Sequence, residues 1–278
     1  MSKAVGIIPA RWSSTRFPGK PLHRVAGKPL LQHVWERCRR SKSLDSVIIA
    51  TDDMRIADAA FQWGAEVALT LRRHQSGTDR VAEIAAKARQ FDLVINIQGD
   101  EPLIDPRLID RLVGKLRSDT DIKMVTAAHP FADPAEATSP HQVKVVVDLH
   151  GRALYFSRAA IPHTRRGLRL ASAAVRSNAS PARTLRHQGI YGFRREMLFQ
   201  FVQWKPSPLE RAESLEQLRA LENGVTVHVL ITKHGSPGID TPADAKNVAA
   251  LLGRGADSPR TGSTATERRG YNPPKVSR

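Results

Sequence analysis

The sequence predicts an α/β fold: a mostly parallel sheet with helices on both faces, and a small second lobe with antiparallel strands. Two observations carry this. Through the first 130 residues, short apolar runs alternate with stretches whose apolar residues recur at helical spacing, as right-handed strand–helix–strand crossovers require. After residue 140 two strand-like runs flank His150-Gly151, which predicts an antiparallel hairpin.

Element by element, Val5-Gly6-Ile7-Ile8 reads as a buried strand, and Leu30, Leu31, Val34, Trp35 and Cys38 form one stripe of a helix over 29–40. Strands at 46–50 and 66–69 bracket a helix at 53–63, and a helix at 79–90 leads to a fourth strand at 93–97. A helix at 106–116 and a fifth strand at 124–127 complete the repeating part. The hairpin spans 142–149 and 152–156. Residues 163–184, rich in Arg, Ala and Ser, read as a mobile basic loop. A strand at 189–193, a helix at 197–202 and a long helix at 209–222 follow, the last ended by Asn223-Gly224. A strand at 225–231 and a helix at 242–252 close the catalytic unit, 1–252. Residues 253–278 lack the apolar content to pack and read as a disordered basic tail.

Composition narrows the class. Hydrophobic residues make up 41%, ordinary for a globular chain. No stretch approaches the roughly 20 apolar residues of a membrane span, and the apolar run near the N-terminus is too short for a signal peptide. Membrane insertion is not expected, and a cytoplasmic location is. Cys38, the single cysteine, falls on a helix stripe and reads as a core residue. The net charge of +16 is local: residues 151–195 hold ten arginines and no acid, and residues 254–278 hold six basic against two acidic residues. A nucleic-acid footprint would more often follow a fold surface, so nucleic-acid binding is not the expected function.

Ligands of open parallel sheets bind at the carboxyl ends of strands, which singles out two loops. After the first strand, residues 9–22 hold Arg11, Arg16, Lys20, three hydroxyl residues and Gly19. This set suits a triphosphate, though a solvated basic loop would look the same. After the fourth strand comes Gln98-Gly99-Asp100-Glu101-Pro102. Asp100 is placed either to hold a nucleotide-bound magnesium or to serve as a cap or loop residue. Near the C-terminus, Asp240 could complete a metal site, or Thr241 could cap the helix that begins at Pro242.

These segments, with His74-Gln75-Ser76-Gly77-Thr78-Asp79-Arg80, Ala153-Leu154-Tyr155-Phe156-Ser157-Arg158, Arg186-His187-Gln188-Gly189-Ile190-Tyr191-Gly192-Phe193 and Leu215-Glu216-Gln217-Leu218-Arg219, occur in the order found in CMP-Kdo synthetases. The chain resembles that family, the 3-deoxy-manno-octulosonate cytidylyltransferases, over residues 4–252. The resemblance implies a nucleotide-diphosphosugar-transferase-like fold and a homodimer. It also implies transfer of CMP from CTP to the anomeric hydroxyl of 3-deoxy-manno-octulosonate (Kdo), an acidic eight-carbon sugar of lipopolysaccharide biosynthesis. On the same ground Arg11, Lys20, Asp100 and Asp240 are the expected catalytic residues. Ala10, Arg11, Ser14, Thr15, Lys20, Ser76, Arg80, Gln98 and Asp100 would bind the nucleotide. Gln98, Arg158, His187, Tyr191, Glu216 and Gln217 would bind the sugar, and Asp100 and Asp240 would hold Mg2+. The basic character of 163–184 and the tail depart from the family. A related acidic sugar, an 8-amino or sialic-acid-like one, is the alternative substrate. A polyanion-binding protein is the alternative class, and it gives no account of the Asp100 and Asp240 motifs.

Overall fold

The computed structural model describes residues 2–13, 17–163 and 184–256. Strand β1 (Ala4–Ala10) runs through the centre of the sheet and is almost wholly buried. A 3-10 turn (Lys20–Leu22) and a two-stranded hairpin, β2 (Arg24–Val25) with β3 (Lys28–Pro29), precede α1 (Leu30–Cys38). Then come β4 (Ser46–Thr51), α2 (Met54–Gln62), β5 (Glu66–Leu69), α3 (Gly77–Lys87), β6 (Leu93–Asn96), α4 (Pro106–Ser118) and β7 (Met124–Pro130). The second half comprises β8 (Lys144–Val147), β9 (Ala153–Ser157), β10 (Leu185–Arg194), α5 (Arg195–Gln203), α6 (Pro208–Glu213), α7 (Leu218–Glu222), β11 (Val227–Ile231) and α8 (Pro242–Ala256).

Seven strands lie in the order β11-β7-β10-β6-β1-β4-β5. All neighbours pair parallel except β10, which runs antiparallel to both β6 and β7. The β8–β9 hairpin joins through β8 and the start of β10. Side-chain alternation builds two core layers. From β1 and β6, Ala4, Ile8, Ala10, Leu93 and Ile95 face α1, α2 and α4. Val5, Ile7 and Val94 face α3, α5 and α7. A third cluster, Phe17, Val25, Leu30, Ile239, Ala245 and Val248, packs α8 against the first loop and the β2–β3 hairpin. Cys38 is fully buried, and burial pushes its thiol pKa up, as suits a core residue.

The helix expected over 209–222 is in fact α6 and α7. Ser214 takes a left-handed conformation, φ 51° and ψ 48°, that ends α6, a break that apolar spacing does not reveal. The strand expected at 189–193 is ten residues long, because its polar start pairs with β7 and β8. Helix α8 continues past Leu252 to Ala256. The β2–β3 hairpin was not expected from the sequence. Most of the expected loop, 164–183, and the tail from 257 lie outside the described residues.

Candidate active site

Parallel pairing of β1 with β6 puts Ile7 beside Asn96, so the loops that follow these strands emerge at the same edge. The first loop turns back on itself. Gly19, at φ +70°, donates its N–H to the Trp12 carbonyl at 3.2 Å, and a Cβ there would lie 3.1 Å from the Trp12 ring. The positive φ favours glycine here, and the close ring leaves little room for a side chain. The Arg55 guanidinium covers the Trp12 ring at 3.6 Å and is itself held by Asp53 at 2.9 and 2.6 Å. The returning chain delivers Lys20, whose Nζ donates to Asp100 Oδ2 at 2.7 Å, to the Ile239 carbonyl at 2.9 Å and to Asp240 Oδ1 at 3.3 Å. The Ile239 N–H donates to the Asp100 carbonyl at 2.9 Å, which fixes the C-terminal segment across the mouth of β6.

Two cavities meet at this junction. The first, about 250 Å3, is lined by Ala10, Arg11, Lys20, Ser76, Arg80, Gln98, Asp100 and Asp240 among others. The second, about 810 Å3, is lined by His187, Tyr191 and Gln217 and again by Gln98, Asp100 and Asp240. The expected nucleotide residues therefore gather in one compartment and four of the six expected sugar residues in the other. Ser14 and Thr15 lie outside the described residues.

Two expected sugar residues take other positions. Arg158 lines neither cavity; its guanidinium donates to the carbonyls of Glu213 at 2.8 Å and Pro140 at 3.2 Å. Glu216 sits behind the wall, where its carboxylate accepts from Thr78 Oγ1 at 2.6 Å and burial raises its pKa. Two nucleotide residues are already engaged. Ser76 caps α3 in a reciprocal box with Asp79. Arg80 is buried, paired with Asp52 at 3.1 Å and bonded to Thr70.

The lining of the larger cavity is apolar around the imidazole and polar at its floor. His187 Nε2 meets Thr126 Oγ1 at 2.9 Å, and its ring stands edge-on to Phe156 at 4.9 Å. Burial pulls its pKa down to about 3, so it is a neutral imidazole. Burial raises the Tyr191 pKa well above the ordinary value. The floor holds two residues that sequence reasoning did not single out, Glu101 and Gln188. Gln188 Nε2 donates to Glu101 Oε2 at 2.8 Å, and burial pushes the Glu101 carboxyl up to about 8. Both stood inside recognised motifs. What the sequence lacked was any sign that β6 and β10 would bring them together.

A family model described as Cytidylyltransferase matches residues 5–229. The 3-deoxy-manno-octulosonate cytidylyltransferase of Syntrophotalea carbinolica is 48% identical over 248 residues, 88% of this chain and 97% of that one. The enzyme of the same name from Myxococcus xanthus is 43% identical over 250 residues, 90% of this chain and 96% of that one. This chain belongs to the 3-deoxy-manno-octulosonate cytidylyltransferase family. A solved structure of CMP:2-keto-3-deoxy-manno-octonic acid synthetase complexed with CTP superposes with TM-score 0.83 at 42% identity, covering 91% of this chain and all of that one. A cytidylyltransferase from Leptospira borgpetersenii shares the fold at TM-score 0.60 and 17% identity, covering 91% and 88%. As a cytidylyltransferase the chain is a nucleotidyltransferase, and the junction of the two cavities stands at the strand ends where such a sheet binds its ligands.

Proposed function

We propose that this chain transfers CMP from CTP to the anomeric hydroxyl of Kdo, forming CMP-Kdo and releasing pyrophosphate for lipopolysaccharide biosynthesis. The observation that carries this is the shared wall: Gln98, Asp100 and Asp240 line both compartments. A nucleotide α-phosphorus in one can therefore face a sugar hydroxyl in the other. Reaction forms an oxygen–phosphorus bond at the α-phosphorus and breaks the bridge to the β-phosphorus. Phosphoryl transfer of this kind asks mainly for positioning and charge neutralisation. Arg11 and Lys20 supply positive charge to the phosphates, and Ser76 and Arg80 border them. Gln98 spans both ligands, with His187, Tyr191 and Gln217 around the sugar.

Asp100 and Asp240 fit a magnesium ion carried in by CTP. Their carboxylates are hard oxygen donors that converge on a single ammonium, and magnesium is usually held by one or two carboxylates together with substrate phosphates. Among the described residues no cluster of three metal-ligating side chains exists, so the remaining ligands would come from the nucleotide and water. Bound there, the ion would offset the charge of the triphosphate and of the sugar carboxylate. A homodimer belongs to the same reading, supported by the exposed Leu149 and Leu154 on the β8–β9 hairpin. No helix among the described residues is long and apolar enough to cross a membrane.

The test is pyrophosphate release with each of the four nucleotides against Kdo, an 8-amino analogue and a sialic acid. CTP with Kdo should give the highest kcat/KM, and a preference for another sugar would overturn the substrate assignment. Asp100→Ala should abolish turnover while the protein stays folded. Near-normal activity in that variant would overturn the metal assignment.

A further inference from the structure

A third cavity of about 610 Å3 lies behind the larger compartment, between α1, the first turns of α4 and the segment that follows β11. Its lining is strongly basic: Arg37 from α1, Arg107 and Arg111 from α4, and Lys233 and His234 after β11. Asp105 is the one carboxylate in that lining; it caps α4, where Oδ1 accepts from the Arg107 N–H at 2.9 Å, and its single charge faces four lysine and arginine cations. Arg37, Arg107, Arg111 and Lys233 form no ion pair with any described residue. Burial, and then the neighbouring Arg40, lower the Arg37 pKa, and Asp105 offsets them only in part.

The elements that carry these cations are tied together at several points. Arg107 and Arg111 are one helical turn apart on α4, so they share a face. Arg111 Nη2 ties α4 to β11 through the Ile231 carbonyl at 3.1 Å. Thr232 is anchored on β7 by its N–H to the Ala128 carbonyl at 2.8 Å, and the His129 ring fills the space a side chain at position 235 would need. The buried hydroxyl of Ser236, which also lines the cavity, has no hydrogen-bond partner.

We propose that this cavity is a second anion site, distinct from the nucleotide compartment, that takes a diphosphate group. Guanidinium forks match phosphoryl oxygens two at a time. Cations from three elements line one open cavity, so a compact multivalent anion can meet several of them at once, whereas an extended polyanion would meet a single row. The diphosphate could come from free pyrophosphate or from the phosphate chain of a nucleotide. Gln188 and Ser236 line both this cavity and the sugar compartment, so occupancy here would be felt on the sugar side. The inference does not depend on the identity of the sugar.

Calorimetric titration of the full chain with inorganic pyrophosphate, in magnesium-free buffer at low and high salt, tests this. The wild type should bind two equivalents. Arg107→Ser/Arg111→Ser/Lys233→Ser should bind one and keep CTP turnover within two-fold, and Lys20→Ala should also bind one, the second-site molecule. If the triple variant does not fold, Lys233→Ser alone should weaken the second site by about ten-fold. A parallel titration with CTP identifies the source: two equivalents mean that a nucleotide's phosphate chain enters the site, one that only free pyrophosphate does. Replacing Arg165, Arg166, Arg169, Arg176 and Arg183 with Ser should leave both pyrophosphate sites intact. The proposal is overturned if the wild type binds a single equivalent, if the triple variant still binds two, or if the five-serine variant loses the second.

Discussion

Lys20 separates two carboxylates that would otherwise repel each other at the mouth of the sheet. Its ammonium is mostly buried, in a setting where charge interactions are screened less than at the surface. Lys20→Met should therefore lower kcat by about 100-fold or more, the scale seen when one preorganised charge donor is lost; single-turnover kinetics would measure it, and a loss under ten-fold would contradict the role. Glu101 and His187 make a different, pH-dependent contribution. The Glu101 carboxyl, near 8 in the fold against an ordinary 4.5, stays protonated when folded, so its contribution is complete below 4.5 and is lost as pH rises through 8. His187, near 3 against 6.5, contributes fully above 6.5 and loses that contribution as pH falls toward 3. Between 4.5 and 6.5 the two slopes oppose each other; from 6.5 to 8 the His187 contribution is constant and Glu101 should cost about 2 kcal/mol of stability. Glu101→Gln, which keeps the shape and cannot ionise, should flatten that decline. Urea denaturation at pH 6.5 and 8 measures it, and an undiminished decline in the variant would exclude Glu101 as the cause.

The break between α6 and α7 does at the level of elements what Lys20 does at the level of residues. Ser214 redirects the chain so that Gln217 reaches the larger cavity, and a buried ion pair fixes the corner: Arg219 donates to Glu210 at 2.7 and 2.5 Å and covers the Phe201 ring at 4.9 Å. Arg219→Met would leave Glu210 buried without its partner, so stability should fall by about 3 kcal/mol. The KM for the sugar should rise more than that for CTP, because the corner carries Gln217 and not the phosphate loop. A Glu210→Gln/Arg219→Met double variant should recover part of the stability, and chemical denaturation would read both. This corner was invisible in the sequence, where leucines at 209, 215, 218 and 221 pass for one helix; a left-handed serine leaves no periodic mark. Strands β1 and β6, by contrast, were legible because burial on both faces demands unbroken apolar runs. Lys20, Asp100 and Asp240 were legible through their motifs. Glu101 and Gln188 were not, because their burial arises from pairing between segments 87 residues apart.

Across the whole molecule the positive charge divides into a part that is structurally engaged and a part that is not needed by the cleft. Of the ten arginines in 151–195, Arg152 pairs with Asp148 and Arg186 with Glu136, while Arg158, Arg194 and Arg195 donate to backbone carbonyls. The other five, at 165, 166, 169, 176 and 183, stand outside the described residues, as does 257–278 with five basic and two acidic residues. The relatives match this chain over 97% and 96% of their own lengths while spanning 88% and 90% of it, so the family's activity is reached with less chain than is present here. A chain with those five arginines replaced by Ser and 257–278 deleted should keep kcat and KM within two-fold and its melting temperature within a few degrees. Any RNA retention by the wild type should disappear in this variant and should fall steeply with salt in the parent, since counterion release governs such binding. Catalysis should respond to salt far less if Lys20 acts as proposed, because its ammonium is mostly buried, where screening is weaker. Filter binding and pyrophosphate release across one salt series, on both proteins, separate these outcomes. RNA binding that survives in the variant would move the polyanion surface onto the folded body, and a collapse of turnover would place the removed segments in the active site.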